Sequence, residues 1–170
     1  PILHDIQKDG KTIKAATLLT KQGLTFVFDR VTGEPVWPIE ERPVPGSDIP
    51  GEQPSKTQPF PTRPGPMLQL NYDENDLIDF TPELREEAKK LASEYTKGPL
   101  YTTPTLVTPT NKGTWIYPGT GGGPNWNGAA LWPGCQRLRN DGCIHVSPLR
   151  KLTCLTHIFP ENHLLFKCHP

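Results

Sequence analysis

Two short segments of the chain carry side chains that could bind a polar or anionic ligand. Lys21 stands at a strand end before a Gln-Gly pair, where its ammonium could pair with a ligand oxygen. Asn125 and Trp126 follow three consecutive glycines at residues 121–123. Glycines let the backbone approach a bulky, flat group, and an asparagine amide both donates and accepts hydrogen bonds. These residues predict a binding site.

Each of these side chains also has an ordinary structural explanation. Lysines are mostly solvated, so Lys21 could be an exposed turn residue. Asn125 could cap a turn, and the indole of Trp126 could fill a hydrophobic core. From the residue types alone, both explanations stay open.

The segment before and after Lys21 predicts an antiparallel sheet. Asp9-Gly10 suits a hairpin turn between strands at residues 1–6 and 12–20. Apolar residues occur on both faces of the second strand, as in an inner strand that is stacked between other layers. A β-branched and aromatic run at residues 24–28 predicts a third strand.

A tight turn and a fourth extended segment follow this run. Residues 29–33 carry turn chemistry with Thr32-Gly33 at the corner, and the chain resumes an extended path that ends at Trp37. Residues 1–37 are therefore predicted to form one nearly complete four-stranded blade.

Residues 38–80 are too rich in proline for a regular ladder to be expected, so they are predicted to be an ordered wrap or a mobile loop. A helix is predicted over residues 81–97. Thr81 is its N-cap, Pro82 takes the first position, and the helix should run to about Thr96. Its apolar stripe should dock it on the sheet structure: Leu84, Ala88, Leu91, Ala92 and Tyr95.

The segment from residue 98 to residue 130 is predicted to form part of a second blade, with strands at residues 102–107 and 113–117. The chain has 170 residues, 21 of them proline and 15 glycine, and only 34% are hydrophobic. This composition fits a loop-rich β protein whose core is completed by neighbouring parts.

The order of these segments resembles the quinoprotein alcohol and sugar dehydrogenases, above all their membrane-associated glucose dehydrogenase branch. The resemblance covers about residues 1–130. It is carried by the turn spacing that ends at Trp37, the proline-rich residues 38–64, and residues 77–84, 98–103 and 118–130. It implies an all-β fold, with about two blades of an eight-bladed propeller, one inserted helix and the long proline-rich excursion.

The resemblance also implies site residues. Lys21 matches the lysine of a Thr-Lys-Gln-Gly motif that contacts pyrroloquinoline quinone, and Asn125 matches the asparagine of an Asn-Trp pair at the same cofactor, with Trp126 as its packing neighbour. The family's general-base aspartate is expected upstream of this chain, so no catalytic residue is assigned here. The ligands of a calcium or magnesium ion are likewise expected outside it, and no metal ligand is assigned.

Residues 131–170 depart from the family pattern. They contain a cluster of possible metal ligands without a Cys-x-x-Cys pair, so the zinc signal is weak. A shifted reading frame or an unrelated extension explains the abrupt change, and a genuine domain with reduced cysteines is an alternative; disulfides stay open for an exported chain. The cluster comprises Cys135, Cys143, Cys154, Cys168, His145, His157, His163 and His169.

Charge and hydropathy exclude some functions. Eighteen basic residues balance 18 acidic ones, so no nucleic-acid surface is indicated. No apolar run approaches the ~20 residues that span a bilayer, and no signal peptide opens the chain.

The leading hypothesis is a part of a quinoprotein dehydrogenase that oxidises a sugar or polyol hydroxyl and passes electrons to a quinone acceptor. Its expected partners are the rest of the propeller and the small-molecule substrate. It is expected to face the periplasm in association with a membrane and to be inactive alone. The alternatives are a non-catalytic propeller-derived module and a zinc protein built on the cysteine-rich end.

Overall fold

A computed structural model of the chain describes residues 1–119 and 122–124. The first three strands, β1 (Ile2–Lys8), β2 (Lys11–Leu19) and β3 (Thr25–Asp29), form an antiparallel sheet in the order β1-β2-β3. These three strands confirm the predicted antiparallel sheet. Among the described residues, no helix is long and apolar enough to cross a bilayer.

The β1–β2 hairpin turns at Asp9 and Gly10, as predicted. Both residues have positive φ angles, 51° and 73°, and Lys8 pairs with Lys11 around them. A two-residue turn of this kind requires positive φ at both central positions, which an Asp-Gly pair tolerates. The hairpin register therefore follows from local sequence.

The predicted fourth strand of the blade is reduced to one bridge. Phe28 pairs with Pro35, and the Val36 amide donates to the Val27 carbonyl at 2.8 Å. The preceding turn is formed as predicted, since the Val31 amide donates to the Asp29 carboxylate at 2.8 Å. Pro35 falls in a non-bonded pair, so its missing amide hydrogen costs no ladder bond, but the next bonded position is Pro38, which has no amide hydrogen to extend the ladder.

The two faces of this sheet differ. One face buries Ile6, Ala15, Val27 and Val36, and Trp37 packs against this cluster, so the tryptophan covers the core of its own blade. On the opposite face Leu3 is 66% exposed and Leu18 is 43% exposed. The stacking expected on both faces of β2 is therefore not provided by the described residues.

The proline-rich excursion contains a ladder, contrary to the prediction. β4 (Ile39–Pro43) and β5 (Thr57–Pro61) pair antiparallel as a two-stranded ribbon. Hydrogen bonds from Val44 to Lys56 and from Thr62 to Pro38 flank it. Along an antiparallel ribbon, residue pairs that exchange hydrogen bonds alternate with pairs that do not. Here the hydrogen-bonded pairs are those of even-numbered residues, so the prolines at 43, 59 and 61 fall in non-bonded pairs. Their missing amide hydrogens would have pointed outward, as edge strands permit.

A single α-helix occurs in the described residues, α1 (Pro82–Ser93), with a short 3-10 helix before it at Glu74–Asp76. The Thr81 hydroxyl accepts from the Leu84 amide at 3.3 Å, which confirms the predicted N-cap. The helix ends at Ser93 rather than near Thr96. Thr96 instead donates its amide to Gly113 at 2.9 Å, so a tertiary hydrogen bond replaces the next helical one.

The helix docks on irregular segments and not on the β1–β3 sheet. Its core cluster contains Leu77, Ile78, Ala88, Ala92 and Trp115. Ala88 and Ala92 belong to the predicted stripe, and of its other three members two pack against this cluster and one is exposed. The first two are Leu91 and Tyr95, and the third is Leu84, with 39% exposure.

The two strands predicted at residues 102–107 and 113–117 do not form. Only isolated bridges occur there, Thr96 with Thr114 and Thr108 with Asn111. Pro104 and Pro109 lack amide donors. Threonine hydroxyls supply hydrogen bonds in place of a ladder, as in the 3.0 Å contact between Thr105 and Thr114.

Acid should destabilise the sheet through His4. Its ring hydrogen-bonds to the buried Thr17 hydroxyl at 2.8 Å, and burial lowers the pKa of His4 below its usual 6.5, although Asp5 opposes the shift. As the pH falls below about 6.5, His4 is protonated in the unfolded chain before it is protonated in the folded chain. Its protonation therefore favours unfolding. We expect the free energy of unfolding to drop between pH 7.5 and 5.5, measured by urea denaturation. The variant His4→Gln should lose this part of the drop; an identical pH dependence would contradict the assignment.

The helix core should be far more sensitive to truncation than the surface. Leu77 is fully buried, so Leu77→Ala should lower the free energy of unfolding by about 2–5 kcal/mol. Leu106, at 61% exposure, provides the matched control, because Leu106→Ala removes the same atoms from an exposed position. Equal urea midpoints for the two variants would show that this cluster is not a core.

Candidate functional site

A cleft of about 260 Å³ lies between the end of the β1–β3 sheet and the irregular segments beside the helix. Lys21 and Gln22 form one side of it. The other side is formed by two segments, residues 99–102 and 115–119, with Gly122 next to them. Three aromatic side chains contribute to its walls: Tyr101, Trp115 and Tyr117.

The turn after β2 positions Lys21 at this cleft. The Gly23 amide donates to the Thr20 carbonyl at 2.9 Å, and Gly23 has a φ of 79°, which favours glycine. Lys21 is exposed, and no hydrogen bond or ion pair joins its ammonium to another residue in the described part of the chain. The ammonium is therefore available to a ligand.

The glycine run reaches the same place. The Gly123 amide donates to the Lys21 carbonyl at 2.7 Å. A Cβ on Gly122 would lie 2.7 Å from the Lys21 Cβ and 2.9 Å from its carbonyl oxygen. The close approach predicted for these glycines is real, but the group approached by Gly122 is the Lys21 backbone. The structure thus joins two segments that are about a hundred residues apart in sequence.

The excursion makes a second contact at this junction. The side chain of Leu68 lies against both Gly23 and Gly123, where an added Cβ would collide with it. The Met67 amide also donates to the Gly23 carbonyl at 2.8 Å. Glycine is needed here so that the blade, the excursion and the glycine run can meet.

Asn125 and Trp126, the other two predicted site residues, lie outside the described residues, as do the cysteines and histidines of residues 131–170. Their predicted roles stay predictions. Within the described part, no group of three or more His, Cys, Asp or Glu could hold a metal ion.

The electrostatics of the cleft favour an anionic ligand. Its described lining contains one cation, Lys21, and no carboxylate. Burial raises the pKa of Tyr101 above its usual value, and burial together with the Asp76 carboxylate raises the pKa of Tyr117. Both phenols are therefore neutral at physiological pH, and the Tyr101 phenol can donate a hydrogen bond to a ligand oxygen.

No side chain of the described lining is a suitable general base or nucleophile at neutral pH, because neither a carboxylate, an imidazole nor a thiol is present. The lining offers a cation, an amide, phenol groups and aromatic rings, which are suited to bind and orient a flat, oxygen-rich molecule. These residues can therefore bind a ligand.

Sequence reasoning missed the aromatic walls. Tyr101 lay in a segment that carried the family resemblance, yet no role was assigned to it. Its φ of 71° is unusual for a residue other than glycine and costs about 1–3 kcal/mol where it occurs, often at functional sites. Trp115 was expected in a regular strand. Nothing in the local sequence indicates that either side chain meets Lys21.

Comparisons with known proteins identify the family of the chain. The family model described as "Glucose/ethanol/alcohol dehydrogenase, beta-propeller domain", of the pyrroloquinoline quinone (PQQ) type, matches residues 1–141. No solved structure matches the chain at a significant level.

Several curated proteins are similar in sequence. The glycerol dehydrogenase large subunit of Gluconobacter thailandicus is 36% identical over 129 residues, which cover 74% of this chain and 16% of that protein. The quinate/shikimate dehydrogenase (quinone) of Acinetobacter baylyi is 35% identical over 137 residues, 78% of this chain and 16% of that protein. Quinoprotein glucose dehydrogenase A of Acinetobacter calcoaceticus is 50% identical over 46 residues, 26% of this chain and 6% of that protein.

The chain thus spans about a sixth of the length of the first two of these relatives. The family model covers most of the chain, including the blade, the excursion, the helix and the cleft. The chain therefore belongs to the PQQ-dependent glucose/ethanol/alcohol dehydrogenase family and forms part of its β-propeller domain.

Proposed function

We propose that this chain supplies part of the cofactor site of a dehydrogenase that oxidises a sugar or polyol hydroxyl and passes the electrons to a quinone acceptor. The observation that carries the proposal is the unpaired Lys21 ammonium at the edge of an aromatic cleft whose described lining has no carboxylate. A lysine ammonium binds carboxylate oxygens by charge-assisted hydrogen bonds, and no carboxylate of the described lining competes for it.

PQQ is a flat aromatic quinone with carboxylate groups, and the residues present fit such a molecule. Aromatic rings offer stacking surfaces, and Lys21 offers a positive charge. The cleft volume of about 260 Å³ is slightly below the usual range of ~300–1,000 Å³ for ligand pockets. The described walls are therefore proposed to form one side of a larger site.

Within this site, Lys21 would neutralise a carboxylate or quinone oxygen, and Asn125 would donate and accept hydrogen bonds at the same ligand. Trp126 would pack beside Asn125. When bound, PQQ accepts the electrons removed from the substrate's hydroxyl-bearing carbon. The described residues bind the cofactor, hold its orientation and exclude water from one of its sides.

Other parts of the dehydrogenase are proposed to complete the reaction. A general base must lie within hydrogen-bond reach of the substrate hydroxyl, and a calcium or magnesium ion would polarise the quinone. The described lining offers neither a base nor a metal site. We therefore expect cofactor binding without turnover from this chain alone.

The names of the relatives define the proposed substrate class. They are dehydrogenases of glycerol, glucose and quinate or shikimate, and all of these compounds carry secondary or primary hydroxyl groups. We propose a substrate of this polyol or sugar class and a periplasm-facing, membrane-associated location for the whole protein.

Removal of the Lys21 charge should weaken PQQ binding selectively. A charge-assisted hydrogen bond contributes about 1.5–3 kcal/mol, so Lys21→Met should raise the dissociation constant by roughly 10-fold or more. Equilibrium dialysis with absorbance detection of PQQ measures this change. Lys11→Met is the control, because Lys11 is also exposed but lies at the opposite end of β2. Equal affinities of both variants would contradict the role of Lys21.

The packing of Gly122 on Lys21 gives a second test. Gly122→Ala combines a φ of 73° with a collision against the Lys21 backbone, so it should cost about 1–3 kcal/mol of stability and also weaken PQQ binding. Gly51 has a φ of 88° and no atom within 4 Å of an added Cβ. Gly51→Ala therefore isolates the cost of the backbone angle. If urea denaturation and PQQ titration gave the same values for both variants, the junction would not position Lys21.

A further inference from the structure

The excursion ribbon supports one wall of the cleft. The ring of Tyr101, a cleft residue, meets the ring of Phe60 on β5 edge to face, with centroids 5.8 Å apart and planes at 87°. The guanidinium of Arg42 on β4 lies 5.2 Å from the centre of the same Phe60 ring. Phe60 is thus held on one side by the ribbon's own cation and contacts Tyr101.

A hydrogen bond ties the next residues of this wall to the excursion. The Thr103 hydroxyl donates to the Gly46 carbonyl at 2.8 Å, across 57 residues of sequence. The wall also turns tightly, because the Thr102 amide donates to the Pro99 carbonyl at 3.0 Å. Tyr101 therefore lies within this turn. The excursion contacts its ring through Phe60 and bonds to the nearby Thr103 through Gly46.

The backbone of Tyr101 has a φ of 71°, a conformation that side-chain-bearing residues adopt only when their surroundings enforce it. The contact of the Tyr101 ring with Phe60 and the hydrogen bond of the neighbouring Thr103 to Gly46 constrain this segment. Four of the five residues of β4 are exposed, whereas all five residues of β5 are partly buried. Phe60, on the more buried strand, contacts the cleft through Tyr101.

We propose that Tyr101 is a further cofactor-contacting residue, whose phenol donates a hydrogen bond to a ligand oxygen, and that the β4–β5 ribbon positions it through Phe60. This proposal rests on the proposed function of the cleft. In the described part of the chain no hydrogen bond engages the Tyr101 hydroxyl, so the donor is available. The phenol adds a neutral donor to the charge of Lys21.

Cofactor affinity tests the contact. Tyr101→Phe keeps the ring and its packing on Phe60 but removes the donor, and it should raise the dissociation constant of PQQ about 3- to 10-fold. Tyr72→Phe is the matched control, because Tyr72 packs in the helix core and does not line the cleft. Wild-type affinity in Tyr101→Phe, with a wild-type chain that binds PQQ, would overturn the contact and leave the proposed function intact.

An NMR measurement without ligand tests whether the ribbon positions Tyr101. In protein that contains ¹³C-labelled tyrosine, the ring resonance of Tyr101 is the one that is missing from the spectrum of the Tyr101→Phe variant. We expect Phe60→Leu to shift this resonance and to weaken PQQ binding, whereas Phe80→Leu, at an exposed position, should do neither. An unshifted resonance in Phe60→Leu would overturn positioning by the ribbon. A wild-type chain that binds no PQQ would overturn both the proposed function and the contact, while the resonance shift would still decide the positioning.

Discussion

The site depends on one close approach of two backbones, that of the glycine run to Lys21. The 2.7 Å hydrogen bond from the Gly123 amide to the Lys21 carbonyl fixes this approach, and Gly122 leaves no room for a side chain. Lys21 lies in the turn between β2 and β3, and this turn lines the cleft. Because the contact uses backbone atoms, it holds the lysine's Cα in place while its ammonium stays free for a ligand.

The positions of the prolines, which lack a backbone amide donor, explain much of the remaining structure. Prolines interrupt the chain after residue 37, and the ladder that forms in the described part of this region, the β4–β5 ribbon, is one in which the missing hydrogens would point outward. Elsewhere threonine and asparagine side chains replace backbone donors, for example Asn111 with Thr96 at 2.7 Å. The result is a set of irregular walls that pack around the Trp115 core and form one side of the cleft.

Local sequence predicted the elements that depend on local chemistry. The Asp9-Gly10 turn, the three strands of the sheet and the Thr81 cap were predicted correctly, because turn and cap residues specify their own geometry. Predictions failed where a distant partner competes. The helix stops at Ser93 because Thr96 bonds to Gly113, and the expected strands near Trp115 give way to isolated bridges.

The sequence by itself determined the family, the antiparallel blade and the candidate lysine, because motif order, turn residues and alternation are all properties of the linear chain. Only the tertiary structure decided that Lys21 meets Gly122 and that Tyr101 and Trp115 complete the wall opposite the lysine. It also decided that Phe60, on a ribbon in the proline-rich excursion, contacts Tyr101. These contacts join residues 41 to about a hundred positions apart, and they depend on packing and hydrogen-bond parity, which no local pattern encodes.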